Sequence, residues 1–147
     1  MTAPDVDPLA PFSAPTRAWF TGAFEAPTPA QAGAWAAIAA GDHALVVAPT
    51  GSGKTLSAFL ASLDRLLTEP PPDDPTHRCR VVYVSPLKAL AVDVEKNLRS
   101  PLVGIRQAAQ RLGTDLPEVE VGIRTGDTPA SERRAFGSHP PDVLITT

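Results

Sequence analysis

One cysteine, Cys79, stands among 147 residues. A single thiol excludes an intrachain disulfide framework and suits a reducing compartment. Cys79 itself reads as a small buried apolar residue on a strand. Histidine is also scarce: His43, His77 and His139 lie far apart and, with that one cysteine, form no recognisable metal set. No apolar run approaches the roughly 20 residues a membrane helix needs. The N-terminus lacks the basic-then-apolar pattern of a secretory signal, so a cytoplasmic chain with no membrane partner is expected. A basic field is missing too. Thirteen Lys and Arg face sixteen Asp and Glu, for a net charge of −3. Nucleic-acid binding, if present, has to be local.

The length fits one domain or part of one. Residues 1–16 hold Pro4, Pro8, Pro11 and Pro15 among small and acidic residues, which predicts a disordered leader. Residues 17–24 carry Trp19, Phe20 and Phe24 in a short segment of helical character. At Pro27-Thr28-Pro29-Ala30-Gln31, Thr28 reads as an N-cap with proline just inside, opening a helix that Gly41 stops after about Ala40. Gln31 has two readings on helix physics. It is a first-turn polar residue without a ligand, or its amide faces a nucleotide base.

The chain is organised around Ala48-Pro49-Thr50-Gly51-Ser52-Gly53-Lys54-Thr55. The apolar run 43–47 before it reads as a buried strand, and residues 56–67 after it carry leucines at helical spacing. Strand, glycine-rich turn and helix are the setting in which such a match becomes a phosphate loop. Gly51 and Gly53 let successive N–H groups, with those of Thr50 and Ser52, curl around a polyphosphate. The helix beginning near Lys54 adds its partial positive charge. Lys54 can reach the β- and γ-phosphates, and the Thr55 hydroxyl can hold Mg²⁺. Ala48 departs from the general pattern, which has glycine there.

The proline-rich stretch 68–77 reads as an exposed loop. Strands are then expected at 80–84, 118–123 and 143–146. With the strand at 43–47, they predict βαβ crossovers and a parallel sheet. Pro101 divides the intervening residues into two helices, over 87–98 and 102–112. A short helix is expected at 130–136. The strand at 80–84 runs into Ser85-Pro86-Leu87-Lys88-Ala89-Leu90. Parallel sheets bind ligands beyond their carboxyl ends, so Lys88 and the hydroxyl and amides of this loop are candidates for a nucleic-acid phosphate.

Taken together, these pieces resemble superfamily 2 helicases, the DEAD/DEAH-like ATP-dependent motors. Pro27 to Gln31 resembles the family's Q motif, whose glutamine reads adenine. Ala48 to Thr55 resembles motif I, where alanine commonly takes the first glycine position. Ser85 to Leu90 resembles motif Ia, Arg124-Thr125-Gly126-Asp127 the next nucleic-acid-contacting motif, and Leu144-Ile145-Thr146-Thr147 the opening of motif Ib. Ser85 to Asp93 running into Asn97-Leu98 and Pro101-Leu102, and Ala48 to Leu60 followed by Leu63-Asp64-Arg65-Leu66, are similar to the bacterial large helicase-related branch. The resemblance covers residues 19–147.

The resemblance implies a three-layer α/β RecA-like P-loop fold with a parallel sheet, incomplete at its C-terminus. Residues 17–147 would be the N-terminal part of the first RecA-like domain. It implies ATP and Mg²⁺ as cofactors, with Gln31, Thr50, Gly51, Ser52, Gly53, Lys54 and Thr55 on the nucleotide, Thr55 on the metal, and Lys54 and Thr55 in catalysis. It implies single-stranded DNA or RNA as partner, a tail-bearing duplex for the parent, held by Ser85, Lys88, Thr125, Gly126, Thr146 and Thr147. The implied activity is that of a DNA-repair type helicase or translocase. Motif II, the coupling motif and a second RecA-like domain with its arginine fingers are required for turnover and are not among these residues. The chain alone is therefore expected to bind nucleotide without hydrolysing it. Two rivals share the phosphate loop: a small P-loop kinase, for which motif Ia has no role, and a non-catalytic nucleotide-binding module.

Overall fold

The computed structural model describes residues 6–147. The chain divides into two compact units, Met1–Asp64 with Val103–Asp115, and Arg65–Leu102 with Leu116–Thr147. The first unit opens with helix α1 (Ala14–Ala23) and helix α2 (Pro29–Ala39), then the start of α3 (Lys54–Thr68). Three aromatics lock it. Phe12 and Phe20 each meet Trp35 edge-on, at 5.0 and 5.5 Å between ring centroids, a geometry that sets a ring edge against a ring face. The Trp35 indole N–H donates to the Leu56 carbonyl at 3.2 Å, so its one polar atom is satisfied. Asp64, buried on α3, accepts from the Ser13 backbone N–H, the Ser13 hydroxyl and, at 2.6 Å, the Thr16 hydroxyl. A carboxylate thus sits at the positive end of α1 and fixes its start.

That anchor bears on the leader. Within it Leu9 and Phe12 are buried, and a turn joins Asp7 to Ala10. The part of the expectation that falls on residues 1–5 lies outside the described residues.

The second unit holds a three-stranded parallel sheet in the order β1 (Val81–Val84), β3 (Val143–Thr146), β2 (Val121–Arg124). Val143 pairs with Val81 on one side and Val121 on the other, and the register continues to Thr146 between Val84 and Arg124. The middle strand is the most buried: Val143 and Ile145 are fully inaccessible. A 3-10 turn at Pro75–His77 ends the proline-rich loop, and α5 (Ala130–Ser138) follows β2. Cys79 lies just before β1, half-buried, and desolvation raises its thiol above the ordinary value.

Two expectations are corrected. The run 43–47 is neither a strand nor buried: Leu45 and Val47 are 90% and 87% exposed. An apolar run becomes a buried strand only when a neighbour pairs with it and a layer covers it, and among the described residues no strand pairs with this one. The expected βαβ unit through that run is therefore absent, although the sheet is parallel. The second correction is Pro101, which does not end a helix. α4 (Lys88–Arg111) is continuous through it. Its buried positions Ala91, Leu98, Leu102, Ile105 and Ala109 keep one stripe across the proline. Packing of that stripe offsets the about 3 kcal/mol that an interior proline costs.

Candidate functional site

The phosphate loop lies wholly in the first unit. Gly51 and Gly53 have φ of +83° and +77°, the left-handed region that glycine enters without strain. At Gly53 a second reason applies: a Cβ would stand 2.3 Å from Nε2 of Gln31. Helix α3 starts at Lys54, directly after the second glycine.

Two side chains at the head of α2 hold this loop by its carbonyls. Thr28 donates its hydroxyl to the Ser52 carbonyl at 2.9 Å, and Gln31 donates Nε2 to the Gly53 carbonyl at 3.3 Å. The same two residues form a reciprocal capping box: Thr28 Oγ1 accepts from the Gln31 N–H, and Gln31 Oε1 accepts from the Thr28 N–H at 3.0 Å. In a trans peptide the carbonyl of one residue and the N–H of the next point in opposite directions. Drawing the Ser52 and Gly53 carbonyls toward α2 therefore turns the N–H groups of Gly53 and Lys54 away from it. That orientation is what an anion at a helix start requires.

Gln31 is 3% exposed. One lone pair and one N–H of its amide are committed to the cap and the loop. Lys54 donates Nζ to the Ala48 carbonyl at 2.7 Å, so the ammonium closes the loop on itself. Thr50, Lys54 and Thr55 are exposed. Among the described residues no cluster of His, Cys, Asp or Glu could hold a metal ion. A phosphate loop would hold magnesium by one hydroxyl, and Thr55 is exposed in the first turn of α3 to offer one.

The second unit gathers the other candidates at the carboxyl ends of its strands. The Ser85 N–H donates to the Thr146 carbonyl at 2.7 Å, and the Thr146 hydroxyl donates to the Arg124 carbonyl at 2.7 Å. The first carries the β1–β3 ladder one residue past β1, the second ties the last residues of β3 and β2, and Ser85, Thr125 and Thr146 stand at the same end of the sheet. Ser85 is 1% exposed and its hydroxyl donates to the Leu87 carbonyl at 2.9 Å, so it shapes the turn from inside. Lys88, at the start of α4, is exposed and pairs with Asp127 at 2.7 Å. Gly126 and Thr147 are exposed, and Thr125 is half-buried. Arg133 on α5 donates to the Gly126 and Thr128 carbonyls at 2.6 and 2.9 Å and so anchors the turn after β2.

Sequence reasoning assigned no role to Thr28 beyond its cap, to Asp127, or to Arg133. The signal for Thr28 was the capping-box spacing Thr28-x-x-Gln31. Nothing local marked Arg133, whose carbonyl partners lie five and seven residues away.

The sequence profile of the family described as DEAD/DEAH box helicase matches residues 28–147. A "Lhr helicase/ probable uracil glycosylase" from Mycolicibacterium smegmatis is 60% identical over the whole chain, which covers 10% of that relative. The "Lhr helicase/uracil glycosylase" of Escherichia coli is 51% identical over 98% of the chain, again 10% of the relative. Among solved structures, the Mycobacterium smegmatis helicase Lhr bound to ssDNA and AMP-PNP superposes with a TM-score of 0.88 at 60% identity, over 97% of this chain and 18% of that one. The chain thus spans about a tenth of the length of these curated relatives.

Proposed function

The chain belongs to the DEAD/DEAH box helicase family, and from that premise we propose that it forms the ATP-binding and strand-gripping part of an Lhr-type ATP-dependent helicase. The observation that carries this is the phosphate loop: two glycines at positive φ, Lys54 opening a helix, and carbonyls drawn back by Thr28 and Gln31. When bound, Mg-ATP would supply the phosphoryl group and the metal its charge neutralisation. The residues of this chain bind and orient. The amides of Gly53 and Lys54 and the Lys54 ammonium would hold the phosphates, and the Thr55 hydroxyl would hold the metal.

Gln31 acts first as a strut on the loop. Its second N–H and second lone pair remain for an adenine edge. Single-stranded DNA or RNA is the proposed partner at the strand-end loops, with Lys88, Thr125, Gly126, Thr146 and Thr147 reaching phosphates through hydroxyls, amides and one ammonium. That mode needs no basic surface, which accommodates a net charge of −3.

Calorimetric titration with Mg-ATP tests the nucleotide reading. Lys54→Ala is expected to weaken binding about 10- to 100-fold, the worth of a charge-assisted hydrogen bond. Undiminished affinity in that variant would sink the assignment. The chain alone is expected to release no phosphate, with or without single-stranded DNA, because the carboxylate and arginines that phosphoryl transfer needs are not in it. DNA-stimulated turnover by these residues would overturn that part while leaving the binding site intact.

A further inference from the structure

We propose that Asp127 is a built-in competitor for the nucleic-acid phosphate: its carboxylate occupies Lys88 until a strand displaces it. The proposal rests on the reading of the strand-end loops as a nucleic-acid grip. Lys88 Nζ lies 2.7 Å from Asp127 Oδ2, and the two side chains are 54% and 77% exposed. An exposed pair of this kind contributes little to folding. Its ammonium remains accessible to another oxyanion.

The turn that presents Asp127 is fixed independently of Lys88. The Thr125 N–H donates to Thr128 Oγ1 at 2.8 Å, the Asp127 N–H to Thr125 Oγ1 at 3.2 Å, and the Thr128 N–H to the Thr125 carbonyl at 3.2 Å. Arg133 binds two carbonyls of the same turn, which commits its own cation to backbone rather than to Asp127. At Gly126 a Cβ would meet nothing nearer than the Lys88 ammonium, at 3.8 Å. The Lys88 ammonium thus lies against this turn, in direct contact with the carboxylate that the turn presents.

A carboxylate and a phosphodiester are both oxyanions and compete for the same three N–H donors. Two consequences follow. The ammonium is neutralised before a strand arrives, so one phosphate contact costs the displacement of Asp127. The salt dependence of binding is correspondingly shallow by one contact. A grip that must release its strand gains from a competitor that is always at hand.

The test is fluorescence anisotropy of a fluorescein-labelled oligothymidylate across a salt series, with circular dichroism of each variant as the fold control. Four forms of the chain are compared: unaltered, Asp127→Asn, Lys88→Met and the double variant. Asp127→Asn is expected to tighten binding about 2- to 5-fold at low salt. It is expected to steepen the slope of log Kd against log salt by about 0.7, the share of one more neutralised phosphate on a single strand. In the Lys88→Met background the same Asn gives no tightening. Equal tightening in both backgrounds means that Asp127 acts only as a distant charge, and it overturns the proposal. An unchanged Kd in Asp127→Asn, with Lys88→Met still weakening binding, overturns it while sparing the grip. If no form binds the oligonucleotide at any salt, the grip falls and the competitor with it.

Discussion

Asp142, at the amino-terminal end of the sheet, and Asp127, past its carboxyl end, each meet a cation, and the two pairs are built differently. Asp142 precedes β3 and its side chain is 6% exposed. It binds Arg78 bidentately, at 3.1 Å from Nε and 2.9 Å from Nη2, and accepts the Glu120 N–H at 2.8 Å. Arg78 also reaches Glu120 at 3.1 Å. The hydrogen bond to Asp142 raises the Arg78 guanidinium above its ordinary value, against the desolvation that lowers it. Around these groups lies a cavity of about 350 Å³ walled by Pro71, Pro72, Pro75 and Pro117. Asp127 has one partner in Lys88 and no such surroundings. The difference teaches that burial and partner count decide whether an ion pair holds a fold or can be exchanged for a ligand.

The sharpest way to break that comparison is to remove both carboxylates in turn. Asp142→Ala removes the bidentate partner of Arg78 and the acceptor of the Glu120 N–H and is expected to cost about 3 kcal/mol in urea denaturation. Asp127→Ala is expected to stay within about 0.5 kcal/mol of the unaltered chain. Equal losses would erase the distinction. A smaller effect sharpens it: Arg78→Lys keeps the charge but loses the bidentate fork, for an expected about 1 to 2 kcal/mol.

Smallest is the response to pH. The raised value of Arg78 means that its contribution is fully present below the ordinary guanidinium value and fades only as pH rises through the elevated one. The Asp74 carboxyl is lowered from 3.8, first by the hydrogen bond from the Thr76 hydroxyl. Its contribution is present above 3.8 and fades as pH falls through the lower, folded value. Melting temperature is therefore expected to be flat between about pH 6 and 9 as far as these two groups decide it. A titration of stability inside that window would assign the control to other groups.

The site was legible where chemistry is local. Glycines at 51 and 53, a lysine and a threonine at a helix start, and an N-cap at Thr28 followed by Pro29 are short-range patterns whose geometry follows from backbone sterics. From sequence Gln31 reads as a first-turn polar residue or a base reader and not as a strut, because its partner in the loop, the Gly53 carbonyl, is 22 residues away. Trp19 had no account from its neighbours in sequence. In the fold it lies where a Cβ on Gly104 would come within 2.1 Å of its indole nitrogen, so it demands glycine there.

By itself the sequence determined the glycine-rich turn ahead of α3, the helix starts at Pro29 and Lys54, the positions of three of the four expected strands and the family. Each rests on residues close along the chain or on an ordered set of motifs. Tertiary structure alone decided that 43–47 is not a buried strand, that α4 runs through Pro101, that Asp64 anchors α1, and that Asp127 meets Lys88 and Asp142 meets Arg78. Those outcomes depend on which distant groups arrive to pair with a backbone, cover an apolar stripe or meet a charge. Local propensity carries no term for such arrivals.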